Sequence, residues 1–264
     1  MNLQLQGKRA LVTGSTAGIG YATAQALAAE GVAVTLNGRS PERVAVAVAR
    51  LHAEFPQATL HGVAADLGTR EGVAALVAAC PEVDLLINNL GIFNPQPFEQ
   101  IDDAEWLRFF QVNVMSGVRL TRALLPGMKA RNWGRVIFIS SESGICPPAE
   151  MVHYGMTKSA QLSVARGLAE TCVGTGVTVN SVLPGPTLTE GAGEFFASLA
   201  RGQGQTFDEA ARDFFAHARP TSLLKRFIQP AEVASLVAYL CSPLAAATTG
   251  AALRADGGVV RSLV

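Results

Sequence analysis

Tyr154 and Lys158 stand four residues apart, a spacing that puts both side chains on one helix face. An ammonium then lies beside a phenol. Free tyrosine titrates near ~10 and is almost fully protonated at neutral pH. A neighbouring positive charge favours the phenolate and lowers that value. The pair can then exchange a proton with a carbonyl or alcohol oxygen near pH 7. Such pairs also arise by chance on ordinary helices. Their weight depends on Ser141 and Asn113 earlier in the chain and on the elements that position all four.

The first such element starts at Lys8. Arg9 to Thr13 reads as a short buried strand, and Gly14-Ser-Thr-Ala-Gly18-Ile-Gly20 follows. An alanine-rich amphipathic stretch then runs to Glu30. Strand, glycine loop and helix are the setting of a dinucleotide site. The glycines let backbone approach a pyrophosphate, and the helix N-terminus stabilises its charge. The spacing is G-x-x-x-G-x-G rather than G-x-G-x-x-G.

The joint pattern resembles the short-chain dehydrogenase/reductase superfamily, in its compact branch that includes 3-oxoacyl carrier-protein reductases. The motifs are Thr13-Gly14-x-x-x-Gly18-Ile19-Gly20, Asn88-Asn89-Leu90-Gly91, Asn113, Ser141, Tyr154-x-x-x-Lys158 and Pro184-Gly185. The resemblance spans about residues 5–258. Leu90 departs from it, because the family usually has alanine there, and adds bulk expected beside the cofactor cleft.

Composition agrees. The chain has 264 residues, 49% of them hydrophobic, and a formal net charge of zero. That allows a large core and gives no sign of a nucleic-acid or membrane partner. No apolar run approaches a membrane span, and no signal-peptide core precedes Lys8. Cys80, Cys146, Cys172 and Cys241 lack metal-site spacing, which suits free thiols in a reducing cytoplasm. His52, His61 and His217 do not cluster, so no metal is expected.

Apolar strand-like runs lie at about 8–13, 32–37, 58–64, 83–88, 134–140, 176–182 and 250–255, with helical stretches between. Ser40-Pro41 and Asp102-x-x-Glu105 mark helix starts. Asn113 falls in a long helix after Asp102. Apolar strands separated by helices predict an α/β fold, a Rossmann-type doubly wound parallel sheet of about seven strands with helices on both faces. One domain, residues 1–264, is expected. Ligands of such sheets bind beyond the carboxyl ends of the strands, where Gly14, Arg39, Asp66, Asn88, Ser141 and Pro184 fall.

At the end of the second strand no acid is available to hold a ribose 2′-hydroxyl as NAD binding requires. Gly38 stands there, and Arg39 follows it, placed to pair with a 2′-phosphate. NADP(H) is therefore favoured over NAD(H). The resemblance implies further cofactor contacts at Gly14, Ser15, Thr16, Gly18, Ile19, Gly20, Asp66, Leu67, Asn89, Gly91, Pro184, Gly185, Thr187 and Thr189, besides Tyr154 and Lys158. It also implies roles. Tyr154 is the general acid or base, and Lys158 lowers its pKa and holds the nicotinamide ribose. Ser141 binds the substrate oxygen, and Asn113 supports a water beside Lys158.

The segment 190–224 is expected to close over the substrate. Five of twelve phenylalanines fall between residues 195 and 215. Thr206-x-x-Glu209 forms a capping box, and Phe207, Ala211, Phe214 and Phe215 share a face. These rings cover either an apolar substrate or a neighbouring subunit. Candidate substrate contacts are Phe93, Cys146 and Phe214. His153 is expected at a surface or interface, about 100° from Tyr154. Arg226-Phe227, Pro230-Ala-Glu232 and Asp256-Gly-Gly258 match the family pattern of subunit contacts, which implies a homotetramer or dimer. The reading is an NADP(H)-dependent oxidoreductase of ketones and secondary alcohols, with a 3-oxoacyl thioester or another apolar ketone as the candidate substrate. Alternatives are an NAD-dependent dehydrogenase of a sugar acid, polyol or steroid, and a non-catalytic nucleotide sensor.

Overall fold

In the computed structural model, which describes residues 2–202 and 204–263, seven strands form one parallel sheet. They are β1 (Arg9–Val12), β2 (Ala33–Gly38), β3 (Leu60–Ala64), β4 (Leu85–Asn88), β5 (Gly134–Ile139), β6 (Val177–Pro184) and β7 (Ala252–Ala255). Their order is β3-β2-β1-β4-β5-β6-β7. The chain reverses its direction of travel across the sheet after β3, so β1 and β4 pair in the middle (Leu11 opposite Leu86). That switch point opens a crevice beyond the strand ends.

Strand residues alternate between two cores, as the pleat requires. Ala10, Val12, Leu85, Ile87, Ile137 and Ile139 face one core. Leu11, Leu86, Val136 and Phe138 face the other. On the first face lie α1 (Gly18–Ala29), α2 (Pro41–Glu54) and α9 (Pro230–Cys241), which insert Leu27, Leu51 and Val237. On the second lie α3 (Arg70–Ala79), α5 (Ser116–Ala130) and α6 (Val152–Glu170), with Leu76, Leu124 and Ala165. The two edge strands depart from the expectation of apolar strands throughout. His61, Gly62 and Ala64 of β3 are exposed, and so is Ala252 of β7, because an edge strand has a neighbour on one side only.

The helix starts follow their capping residues. Ser40 Oγ accepts from Arg43 N at 3.2 Å, and Asp102 Oδ1 accepts from Glu105 N at 2.7 Å. Asp102 opens α4 (Asp103–Phe109). The long helix expected after it is interrupted by a π-turn, Phe110–Met115, before α5. Between β6 and α9 lie α7 (Glu190–Gly202), α8 (Phe207–Asp213) and a second π-turn, Phe214–Ala218. Thr206 and Glu209 form the capping box of α8. Among the described residues no helix is long and apolar enough to cross a membrane.

Candidate active site

The glycine loop joins β1 to α1 by backbone that only glycine adopts easily. Gly14 and Gly18 have φ of 60° and 57°, in the left-handed region. A Cβ at Gly20 would lie 2.5 Å from both Asn89 Nδ2 and Gly14 O. The loop is tied to β4 through Asn89, whose Nδ2 donates to Thr13 O (2.9 Å) and Gly14 O (3.0 Å). Gly18 N–H donates to the Glu190 carboxylate at 2.8 Å. An anion thus already sits at the N-terminus of α1, where unpaired amides and the helix dipole favour negative charge. That donor set fits a pyrophosphate.

Not every expected contact reaches the cleft. Ser15 is fully buried, its hydroxyl donating to Val12 O (2.7 Å) and accepting from Asn37 N (3.0 Å). It holds the loop rather than facing a ligand. The Leu67 side chain is buried in the second core, so only its backbone is available. Leu90 packs against the same core and also borders the glycine loop, its Cδ1 lying 3.5 Å from where a Cβ at Gly14 would be. Thr16 lies at the end of β2, since a Cβ at Gly38 would be 2.6 Å from its methyl. Arg39 is exposed, and no acid pairs with it among the described residues. Asp66, just after β3, is exposed as well, with Oδ1 accepting from Gly68 N (2.9 Å).

The crevice continues into a cavity of about 250 Å³. Ile19, Asn89, Gly91, Pro184, Gly185, Thr187 and Thr189 line it, together with Ser141, Tyr154 and Lys158. Each motif is placed by a strand end or by the first turns of α6. Lys158 is buried, and its Nζ donates to Ile139 O at 2.9 Å and lies 5.5 Å from the centre of the Tyr154 ring. Asn113 sits in the π-turn with its amide spent on protein. Oδ1 accepts from Ile92 N (2.8 Å), and Nδ2 donates to Ile92 O (3.0 Å) and Thr157 Oγ1 (2.9 Å). It therefore braces the Gly91–Ile92 loop against α6.

The expected electrostatics are reversed. Burial pushes the Tyr154 phenol above its ordinary value, and the Glu142 charge adds to this. Ser141 and Arg219 pull it down by less. Burial drives Lys158 down to about 7, against an opposing pull from Glu142. Desolvation disfavours the charged form of both groups, and here it outweighs the neighbour effect expected from their spacing.

Glu142 and Arg219 were not singled out by sequence. Glu142 is buried directly after Ser141, takes the hydrogen of the Ser141 hydroxyl, and pairs with Arg219 Nε at 3.2 Å. An acid beside Ser141 in a short apolar-flanked loop was a visible signal. Its partner, 77 residues on, was not.

The phenylalanines divide. Phe93, Phe196, Phe214 and Phe227 line the cavity. Phe196 packs on Phe214 (4.9 Å) and Phe227 (4.8 Å), and Phe214 stacks on Phe227 at 5.7 Å. Phe227, expected in the pattern of subunit contacts, thus faces inward. Cys146 is exposed and does not line the cavity, because its N–H turns back to Glu142 O (2.9 Å) and closes the turn. His153 is fully buried against Phe109 (4.0 Å) and Trp106 (6.0 Å). The side of α6 away from Tyr154 is covered by α4, which places this histidine inside. Among the described residues no three His, Cys, Asp or Glu side chains gather as a metal site.

A family model described as short chain dehydrogenase matches residues 8–199. An uncharacterised oxidoreductase of Bacillus subtilis, YvaG, is 54% identical over 100% of both chains. A 3-oxoacyl-[acyl-carrier-protein] reductase of Aquifex aeolicus is 34% identical over 98% of this chain and 100% of the relative. L-sorbose reductase of Gluconobacter frateurii, solved with NADPH and L-sorbose, superposes with a TM-score of 0.94, at 31% identity and full coverage of both chains. With its sheet order, glycine loop and paired tyrosine and lysine, the chain belongs to the short-chain dehydrogenase/reductase family and is an oxidoreductase of CH–OH groups.

Proposed function

We propose that this oxidoreductase uses NADP(H) to interconvert a small ketone and its secondary alcohol, with Tyr154 as the proton donor or acceptor. The observation that carries this is the convergence of Ser141, Tyr154 and Lys158 on one wall of a cavity that opens onto the glycine loop. The cofactor supplies the hydride, a chemistry of its own ring. The chain supplies position and protons. Gly14, Thr16, Gly18, Ile19 and Gly20 would hold the pyrophosphate. Arg39 would hold the 2′-phosphate, Asp66 the adenine, and Asn89 and Gly91 the ribose. Pro184, Gly185, Thr187 and Thr189 border the place for the nicotinamide.

Tyr154 is a phenol at neutral pH, since its ordinary value near ~10 already lies well above 7 and burial moves it further up. It is therefore armed as an acid toward a carbonyl oxygen. Lys158, poised at about 7, exchanges protons with its surroundings at little cost and can resupply the phenol. Ser141 orients the reacting oxygen. Asn113 positions the Gly91–Ile92 loop beside Lys158. The aromatic wall excludes water from the reacting centre.

Two substrate readings have support. Likeness to the Aquifex reductase supports a 3-oxoacyl thioester. Likeness to L-sorbose reductase, with its bound NADPH, supports a sugar ketone or polyol and the NADP(H) preference. The intact tyrosine–lysine site weighs against a non-catalytic sensor. Free thiols at Cys80, Cys146, Cys172 and Cys241 suit a cytoplasmic enzyme, and the family resemblance supports a homotetramer. The test is consumption of NADPH and NADH with a panel of oxoacyl thioesters, ketoses and plain ketones. Turnover with NADPH, faster than with NADH, supports the reading. NADPH binding with no carbonyl reduced, and no alcohol oxidised with NADP⁺, overturns it.

A further inference from the structure

The cavity wall carries a charged group that the proposed proton chemistry does not use. Glu142 is 5% exposed. Its Oε2 takes the hydrogen of Ser141, and its Oε1 accepts from Arg219 Nε at 3.2 Å. Arg219 Nη1 donates to Glu150 Oε1 (3.2 Å) and to Ala218 O (2.8 Å). Its other terminal nitrogen, Nη2, has no acceptor among the described residues. The guanidinium lies 5.6 Å from the centre of the Phe214 ring. Glu142, Arg219, Phe214 and Tyr154 all border the same cavity.

Burying an ion pair is seldom stabilising, since desolvation offsets the attraction, and an apolar pair of similar volume commonly serves the fold as well. A carboxylate at this place has a local consequence. It presents acceptor lone pairs beside the hydroxyl that must meet the substrate oxygen. Arg219 presents a donor next to it. Two carboxylates, Glu142 and Glu150, share one guanidinium, so this ion-pair group, Lys158 apart, carries net negative charge. A substrate carboxylate or phosphate here meets repulsion. A plain alkyl chain would leave the remaining lone pairs of the carboxylate, and the Arg219 Nη2 hydrogens, facing hydrocarbon. A neutral substrate with hydroxyls next to its carbonyl meets neither penalty. The rings of Phe93 and Phe214 offer apolar faces to its C–H groups. The cavity of about 250 Å³ is below the roughly 300–1,000 Å³ of common ligand sites, which favours a short chain.

Resting on the carbonyl-reductase reading above, we propose that Glu142 and Arg219 form the substrate-selecting element of the cavity. Glu142 accepts, and Arg219 Nη2 donates, hydrogen bonds to hydroxyls flanking the reacting carbonyl. The substrate is a neutral hydroxyketone or ketose, in preference to an oxo acid or a plain ketone.

The experiment compares kcat/KM with NADPH for three ketones of equal chain length: L-erythrulose, acetoacetate and 2-butanone. The wild type should favour L-erythrulose over both others at least tenfold. Glu142→Gln keeps an acceptor but removes the charge, and should narrow the erythrulose-to-acetoacetate ratio about tenfold. Arg219→Met should narrow the erythrulose-to-butanone ratio. Fluorescence titration with NADPH on each variant verifies a folded cofactor site. A wild type that reduces acetoacetate or 2-butanone as well as L-erythrulose overturns the proposal, as do ratios unchanged in a folded Glu142→Gln. Those outcomes leave the carbonyl-reductase reading standing. Failure of all three ketones and of D-fructose, with NADPH bound, overturns this proposal; the carbonyl-reductase reading falls with it only if oxoacyl thioesters are not reduced and no alcohol is oxidised either.

Discussion

Lys158 and Tyr154 answer to burial before they answer to each other. Lys158 falls from its ordinary 10.5 to about 7. Between those values the unfolded chain holds a proton that the folded site has released. Stability therefore rises with pH across that window, and is lost as pH falls through about 7. Tyr154 is shifted upward and stays protonated there. The excess unfolding free energy of the wild type over Lys158→Met should increase from about pH 6 to about pH 9. Denaturant titrations of both proteins measure it, and a difference that stays flat would remove the buried lysine from the account. Arg39 makes a second case. It is exposed and has no carboxylate competing for it among the described residues, so Arg39→Ala should weaken NADPH more than NADH. Loss of a charge-assisted phosphate contact costs on the order of 1.5–3 kcal/mol, roughly ten- to a hundredfold. Equal weakening of both nucleotides, by fluorescence titration, would deny the phosphate contact. At this scale the sequence displayed Tyr154, Lys158, Ser141 and Arg39 clearly. It hid the Glu142–Arg219 pair, because that contact joins residues 77 apart. It also misled on His153, because helix geometry gives a direction around α6 but not what covers it.

The glycine loop and the aromatic wall are the two elements on which the site depends. Strand, loop and helix were legible because each has a local cause: an apolar run, left-handed glycines, an amphipathic repeat. A Cβ at Gly20 would press on Asn89 Nδ2 and Gly14 O, each at 2.5 Å, and one of these is backbone. Gly20→Ala should therefore destabilise the protein by roughly 1–3 kcal/mol, the usual scale of overpacking, and weaken NADPH. Unchanged denaturation and binding would mean the loop can shift without loss. The segment 190–224 was legible as helical and phenylalanine-rich, but not in its direction. In the structure its rings pack on one another, and Phe196 and Phe214 also face the cavity. Burial of such a ring is worth roughly 1.5–3 kcal/mol. Phe214→Ala should raise KM about tenfold or more for ketones long enough to reach it, and less for the shortest. A uniform loss accompanied by subunit dissociation on a sizing column would assign the ring to an interface instead.

At the scale of the whole molecule, the sheet does the assembling. Residues as far apart as Gly14, Asn89, Ser141 and Pro184 meet because each follows the carboxyl end of a parallel strand, and β1 and β4 pair at the reversal of strand order. The strand set was legible because β4, β5 and β6 are buried along their whole length and, with β1, read as mainly apolar runs. The edges were less so, since β3 and β7 are buried on fewer sides. What alternation of strands and helices could not convey is how deeply the crevice buries its polar groups, which sets the protonation of Tyr154 and Lys158. The central claim is that this crevice brings a nucleotide and the Tyr154 phenol to one reacting oxygen. Tyr154→Phe tests it most directly, since the ring and its packing against Phe93 remain while the proton is lost. With NADPH and a ketone that the wild type reduces, turnover should fall by at least ~10², the scale of general acid catalysis, while NADPH binds as before. Near-normal turnover in Tyr154→Phe would contradict the account.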